Sequence, residues 1–247
     1  MGGMGWISGR RIAGWAAAAV TALAPAMVQA VPARIILLRH GEKQRGFDLC
    51  SVGIIRAQAL AQHHLGKGSA ESLFKDGDAP AAFFAITPHT IELAAPSANS
   101  WGLPVTTYAA MPWPQLPEPA LNRLLNRQTQ AAARDVLTNP SWAGKTVVIV
   151  WEHDHIANTG VEAAAPDERV TLRQLLNLDR LPDADMIVPK VWPDNTYDYF
   201  WLIDYDPGSD IPKSFRATKQ VFPGVYADLP HNDWDTPHGL RPISSCL

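Results

Sequence analysis

The sequence has few cysteines and no run of basic residues. Only Cys50 and Cys246 occur among its 247 residues, so a dense disulfide framework is excluded. The formal net charge of −3, without a basic run, argues against nucleic acid as the main partner. With 47% hydrophobic residues, a chain of this length can bury the core of one domain without a metal or dense disulfides.

The first 30 residues have the composition of a secretory signal peptide. Arg10-Arg11 precedes an alanine-rich apolar stretch at 12–23, and Val28-Gln29-Ala30 has the small residues of a cleavage site. An uncleaved anchor is the alternative, although the stretch is shorter than the ~20 residues that a permanent span needs. We therefore expect residues 1–30 to be a signal peptide and 31–247 to be a periplasmic or secreted domain. We expect no stable membrane span after cleavage.

Export would bring both cysteines into an oxidising compartment. An even number of cysteines in an exported protein favours pairing. Because the sequence does not fix the separation of Cys50 and Cys246, a disulfide and two separate thiols both remain open.

Short apolar runs alternate with helical segments along the chain. Strands are predicted at 34–38, 81–86, 146–150, 199–205 and 220–226, with a weaker strand at 105–108. Helices are predicted at 51–65 and at 172–176, the latter with Thr171 as its cap. A further helix is predicted to follow the proline-rich segment 112–119 and to end at Asn139. This alternation predicts an α/β protein, namely a three-layer α/β/α domain with a mostly parallel central sheet.

An arginine, a histidine and a glycine directly follow the first predicted strand, within Leu37–Lys43. Ligands of parallel sheets collect at the carboxyl ends of the strands. Arg39 offers a planar set of donors for two phosphate oxygens, and a neutral imidazole at His40 can attack phosphorus without first losing a proton. Gly41 lets the backbone turn sharply and approach an anion closely.

This motif, together with the segment 49–60 (Leu-Cys-Ser-Val-Gly-Ile-Ile-Arg-Ala-Gln-Ala-Leu), resembles the histidine phosphatase superfamily. That superfamily includes the phosphoglycerate mutases, acid phosphatases and phytases. The resemblance implies a phosphatase that forms a phosphohistidine at His40, with Arg39 orienting the phosphoryl oxygens. It also implies a small phosphorylated substrate and no cofactor.

The same resemblance assigns a second half of the site to Trp151–Asn158, which follows the clearest predicted strand. His153 is the implied partner of His40 and a positively charged donor to the transferring phosphoryl group. The His-Asp pair is similar to the acid phosphatase and phytase branch, which implies Asp154 as the general acid. Glu118, in the stretch where the mutase-like branch carries its acidic residue, is the alternative.

Two other roles remain open for these histidines. His153 and His155 are two residues apart, so on a continuing strand they would share a face and could form a metal-binding pair. A third ligand with matching spacing is missing, and we expect no metal. A core or capping role for His153 is the other alternative.

The sequence departs from the family pattern within Thr87–Pro96. The family motif is Ser or Thr, Pro, two residues and then an arginine that binds phosphate, whereas Ile91 stands at that position here. Either His89 contacts phosphate as a weaker donor, or another group does so. Arg56 is the candidate replacement, but its family position often holds glutamine, which favours a surface salt bridge as its role.

These residues predict an exported phosphatase that hydrolyses a phosphate monoester. The missing arginine favours a second function, a catalytically weak or inactive member that binds phosphate or another anion. A metal-dependent hydrolase comes third. No recognisable pattern after Ala163 indicates the substrate, and none indicates the oligomeric state.

Overall fold

The computed structural model describes residues 1–3, 30–44, 46–74, 78–109, 116–234 and Cys246. Most of the predicted signal peptide therefore lies outside the described residues. Within them, we find no helix with the length and apolar character that a bilayer crossing requires.

A single sheet of six strands forms the centre of the domain, in the order β3-β2-β4-β1-β5-β6. The strands are β1 (Arg34–Arg39), β2 (Pro80–Ala85), β3 (Val105–Thr107), β4 (Thr146–Trp151), β5 (Tyr199–Tyr205) and β6 (Pro212–Lys219). The first four run parallel to one another, whereas β5 and β6 pair antiparallel. The predicted mostly parallel sheet is confirmed.

Helices cover both faces of this sheet. They are α1 (Ser51–Leu60, continued by a wider turn at Ala61–Leu65), α2 (Pro88–Ser100), α3 (Glu118–Thr138), α4 (His153–Ile156), α5 (Thr159–Ala163), α6 (Leu172–Leu175) and α7 (Ala184–Ile187). Alternate side chains of a strand point to opposite faces. Ile36 and Leu38 of β1 accordingly pack in the core beneath α1 and α2, whereas Ile35 and Leu37 pack with α3 and α6. The three layers are confirmed.

Most of the predicted elements lie within a few residues of the observed ones. The helix predicted at 51–65 is α1 with its continuation, and the strand predicted at 146–150 is β4. The Thr171 hydroxyl caps α6 as predicted, since it accepts a hydrogen bond from the amide of Gln174.

The last predicted strand is wrong. Residues 220–226 form no strand and end in a single 3₁₀ turn at Gly224–Tyr226, where Pro223 lacks an amide donor and Gly224 has a φ of 64°. The sixth strand is instead β6, which lies at an edge of the sheet and keeps several side chains exposed. Its apolar residues are too few for a buried-strand pattern.

A disulfide joins Cys50, the residue before α1, to Cys246, with the two Cα atoms 5.4 Å apart. Of the two alternatives that the sequence left open, the structure contains the pair. The Cys50 amide also donates to the carbonyl oxygen of Glu42 at 3.0 Å. The disulfide therefore holds Cys246 beside the loop that follows β1.

Candidate functional site

The site lies where two adjacent parallel strands end. Arg39 of β1 pairs with Trp151 of β4, and the His40 amide donates to the Trp151 carbonyl oxygen at 3.0 Å. The residues that follow both strands consequently meet at one edge of the sheet. This register brings His40 and His153 together, as the sequence motifs predict.

His40 is fully buried, and each of its ring nitrogens has a defined neighbour. Nδ1 lies 2.7 Å from the carbonyl oxygen of Gly41. Because a carbonyl oxygen only accepts, we assign the proton of the neutral ring to Nδ1 and the lone pair to Nε2. Nε2 faces Arg39 Nη2 at 3.2 Å and His153 Nδ1 at 3.3 Å. Burial and the charge of Arg39 hold the pKa of His40 well below its usual value, which favours this neutral form.

Arg39 is a buried cation held by the loop before β5. Its Nη1 donates to the carbonyl oxygens of Pro193 and Asp194 at 2.8 and 2.9 Å. The guanidinium carbon lies 4.1 Å from the centroid of the Tyr197 ring, a cation–π contact. Its buried Nε has no hydrogen-bond partner among the described residues. Because an unpaired buried donor is costly, this nitrogen suits an anionic ligand.

His153 begins α4 and has an acidic partner at its second ring nitrogen. Its Nε2 lies 2.9 Å from the Asp194 carboxylate, which places one proton on that nitrogen. Only a doubly protonated His153 can also donate from Nδ1 towards His40. Burial and Arg39 lower the pKa of His153, whereas the nearby carboxylates of Asp154 and Asp194 oppose that change. An anion bound between the two histidines would favour the second proton.

Asp154 lies at the rim of the site. Its carboxylate is 45% exposed, stands 3.7 Å from His153 Nε2 and accepts from Asn158 Nδ2 at 2.6 Å. Glu118, the first residue of α3, is exposed, and no hydrogen bond or ion pair joins it to the site histidines in the described part of the chain. The geometry thus favours Asp154 over Glu118 as the proton donor, a role that stays a prediction.

Glu152 is a site residue that the sequence analysis did not single out. It directly follows β4, and its side chain is 12% exposed. Oε1 accepts from Thr87 Oγ1 at 2.6 Å and lies 2.5 Å from His89 Nε2, while Oε2 is 3.7 Å from His40 Nε2. Burial opposes the charge, but His40 and the hydrogen bonds from His89 and Thr87 hold the pKa of Glu152 well below its usual value. Its position in the sequence, between a buried strand and His153, is the feature that could have indicated a role in the site.

His89 lies beside the predicted nucleophile but is engaged with other groups. The ring centroids of His89 and His40 are 4.7 Å apart. His89 Nδ1 is 3.2 Å from the carbonyl oxygen of Phe47, and Nε2 faces the Glu152 carboxylate. The histidine near the missing arginine therefore lies in the site, with both nitrogens already next to acceptors.

Arg56 forms a buried ion pair with Glu42, with Nη2 and Oε1 2.5 Å apart. The predicted salt bridge is present, but its placement at the surface is wrong, since Arg56 is 1% exposed. The segment after β6 covers it: Arg56 Nη2 donates to the carbonyl oxygen of Pro230, and Nη1 lies 3.4 Å from Gln220. The guanidinium of Arg56 thus contacts Glu42, Gln220 and Pro230, and its phosphate-binding role stays a prediction.

The alternative of a metal-binding pair at His153 and His155 does not fit the structure. Residues 153–156 form the turn of α4 rather than a continuing strand, so His155 turns to Asn126 of α3, with Nε2 and Oδ1 2.9 Å apart. Another set, His40, Glu152 and His153, offers ligand atoms within 4.8 Å of one another. Arg39 Nη2, 3.2 Å from His40 Nε2, would repel a cation there. The arrangement suits an anion better than a metal.

The fold and this site define an α/β protein with an anion site built from a buried arginine and histidines. No family model and no curated protein matches the chain. Several solved structures do match, at 16 to 18% identity and TM-scores of 0.38 to 0.41.

A structure described as a proposed phosphohistidine phosphatase from Agrobacterium tumefaciens is 18% identical, with a TM-score of 0.40, and covers 78% of this chain and 99% of that chain. A mycobacterial glucosyl-3-phosphoglycerate phosphatase is 18% identical, with a TM-score of 0.41, and covers 76% and 97%. A protein named mycobacterial hydrolase 2 is 16% identical, with a TM-score of 0.38, and covers 79% and 91%. These likenesses are distant, so the function is inferred from the site itself.

Proposed function

We propose that this chain is a phosphatase of the histidine phosphatase type, which hydrolyses a phosphate monoester through a phosphohistidine at His40. One observation carries the proposal. His40 Nε2, whose lone pair is set by the bond from Nδ1 to Gly41, faces Arg39 Nη2 and His153 Nδ1. A neutral imidazole nitrogen is a nucleophile for phosphorus. Arg39, and His153 once a bound phosphoryl group favours its second proton, would stabilise the charge that develops on the phosphoryl oxygens.

The proposed reaction has two displacements at phosphorus. In the first, Nε2 of His40 attacks phosphorus, the bond to the ester oxygen breaks, and the departing oxygen takes a proton from Asp154. In the second, water attacks phosphorus, the bond to Nε2 breaks, and its electron pair returns to that nitrogen. The proton of the water passes to Asp154, which restores the starting state.

The binding-protein alternative is supported by Glu152. Its carboxylate lies against His89 and Thr87, at the motif in which the family carries its phosphate-binding arginine. A negative side chain in that place would weaken the binding of phosphate. Weak or absent turnover with measurable anion binding would favour this function.

A phosphate-release assay of the purified protein against a panel of metabolites tests the proposal. We expect release by the wild-type protein and an acid-labile, base-stable phosphoenzyme after reaction with a labelled substrate. His40→Ala should abolish both, because no other nucleophile replaces Nε2. His231→Ala is the matched control, since that histidine is exposed and outside the site. Unchanged release by His40→Ala would contradict the proposal.

We further propose that the protein is exported to the periplasm or secreted. The composition of residues 1–30 and the pairing of Cys50 with Cys246 support this localisation. Cell fractionation followed by amino-terminal sequencing should find the protein outside the cytoplasm, beginning at Val31. A protein that keeps its first residues and remains in the cytoplasm would contradict it.

A further inference from the structure

We propose that Glu152 sets the charge of the phosphoryl group that the site accepts, so that groups with one negative charge bind in preference to groups with two. The inference rests on the proposed function and concerns the same site. It names Glu152 as a specificity-determining residue and singly charged phosphoryl groups as the ligand class.

The carboxylate of Glu152 already acts as an anion bound within the site. Oε1 lies 2.5 Å from His89 Nε2 and accepts from Thr87 Oγ1 at 2.6 Å. Both donors belong to the motif in which Ile91 replaces the family's arginine. The protein thus carries a carboxylate on the donors of this motif, and two hydrogen bonds fix its position.

The second carboxylate oxygen of Glu152 faces the nucleophile. Oε2 is 3.7 Å from His40 Nε2, and the side chain of Glu152 is only 12% exposed. A phosphoryl group in contact with Nε2 would therefore have its oxygens close to Oε2, where solvent screens their repulsion little. The low pKa of Glu152 keeps the carboxylate charged at neutral pH.

Arg39 is the permanently charged cation that faces His40 Nε2, at 3.2 Å from Nη2. Within the described part of the chain, Arg39 forms no hydrogen bond or ion pair with a carboxylate. His89 faces the carboxylate of Glu152, and His153 faces that of Asp194. One negative charge on the phosphoryl group is thus matched by Arg39. A second one would be opposed by Glu152, which is selection by repulsion.

Two kinds of phosphoryl compound carry a single negative charge. One is a phosphate diester at any pH near neutrality, and the other is a monoester that keeps one proton, as below its second pKa of about 6. We expect the site to bind the phosphate diester and the singly protonated monoester. The doubly charged monoester should bind weakly, because Glu152 repels its second charge.

Binding of two small anions to the whole protein, measured by calorimetry at pH 8, tests the inference without turnover. Dimethyl phosphate carries one negative charge at this pH, and methyl phosphate carries two. Glu152→Gln keeps the size of the side chain but removes its charge, and it should improve the affinity for methyl phosphate relative to dimethyl phosphate by about tenfold or more. Glu152→Asp keeps the charge and should keep the wild-type preference. Glu168→Gln, an exposed acid away from the site, should leave both affinities unchanged.

An unchanged ratio of the two affinities in Glu152→Gln would overturn the inference, as would the absence of binding of either anion. If Glu152→Gln does not fold, the two affinities of the wild-type protein test the inference. Tighter binding of methyl phosphate than of dimethyl phosphate by the wild type would overturn it. Charge-dependent binding without any phosphate release would contradict the proposed function alone. Phosphate release with a charge-independent ratio would contradict only the role of Glu152.

Discussion

His89 connects the loop after β1 with the residue that follows β4. Its Nδ1 faces the carbonyl oxygen of Phe47, and its Nε2 faces Glu152. His89→Ala would free the Glu152 carboxylate beside His40. We expect kcat/KM to fall by about 10- to 100-fold, the loss typical of a positioned polar group. His89→Gln, which keeps a donor towards Glu152, should recover part of the rate in the same assay, and equal rates for wild type and His89→Ala would show that the side chain only fills space.

His155 predicts a pH dependence of stability. Burial lowers the pKa of this histidine to about 4, from 6.5 in an unfolded chain. Between these values the unfolded state binds a proton that the folded state does not, so stability falls as the pH is lowered from 6.5 to 4. The loss attributable to His155 is on the order of 1 to 3 kcal/mol.

Urea denaturation at several pH values checks this assignment. His155→Gln can still donate to Asn126 Oδ1 but does not titrate, so its stability should change less between pH 6.5 and 4 than that of the wild type. Parallel curves for the two proteins would mean that other groups cause the acid sensitivity.

The residues of the candidate site could be predicted from the sequence only in part. Arg39, His40 and His153 follow buried apolar strands, and the ends of neighbouring parallel strands meet. Asp194 could not be predicted, because its contact with His153 depends on a loop docked onto Arg39 from far along the chain. The sequence does not predict a role for Glu152, because a carboxylate beside a phosphate-binding group would repel the phosphate.

Helix α1 approaches the loop after β1 through Gly53. A β carbon at this position would lie 2.2 Å from the carbonyl oxygen of Glu42. Since that atom belongs to the backbone, Gly53→Ala must push α1 away from the loop that follows His40. We expect a loss of at least about 1 to 3 kcal/mol in the free energy of unfolding, together with lower activity.

Thermal and urea denaturation would measure this effect, with Gln58→Ala as the control on an exposed position of the same helix. The control should change stability by less than about 0.5 kcal/mol. A Gly53→Ala protein as stable as the wild type would show that the helix shifts without cost.

At the scale of elements, the pattern predicts strands that are buried on both faces. β1 and β4 are continuous apolar runs, and both were found. β6 was missed because it is bonded on one side only and alternates exposed polar residues with few apolar ones. Of the apolar residues in 220–226, Phe222 and Tyr226 pack against the core without strand pairing, whereas Val221 and Val225 are exposed, because tertiary contacts override the local pattern.

At the scale of the whole molecule, the disulfide closes a loop of nearly the entire domain, with a sequence separation of 196 residues. In the chain-entropy model such a bond stabilises by up to about 5 kcal/mol. Cys246→Ser should therefore lower the midpoint of urea denaturation, and reductant should lower that of the wild type but not that of the variant. Intact mass with and without reductant should differ by two hydrogens, whereas two alkylatable thiols in the denatured, unreduced protein would contradict the bond.

The position of β1 in the middle of the sheet has a consequence for how the protein folds. β1 is made early during synthesis, but its two neighbours, β4 and β5, come much later, and Arg34 pairs with Asp204 across 170 residues. Contacts this distant in sequence are slow to form, because the intervening chain must first be ordered. The apolar β1 segment therefore stays unpaired until most of the chain has been synthesised. A chaperone that binds this segment during synthesis should raise the yield of active protein more than a chaperone added after synthesis is complete.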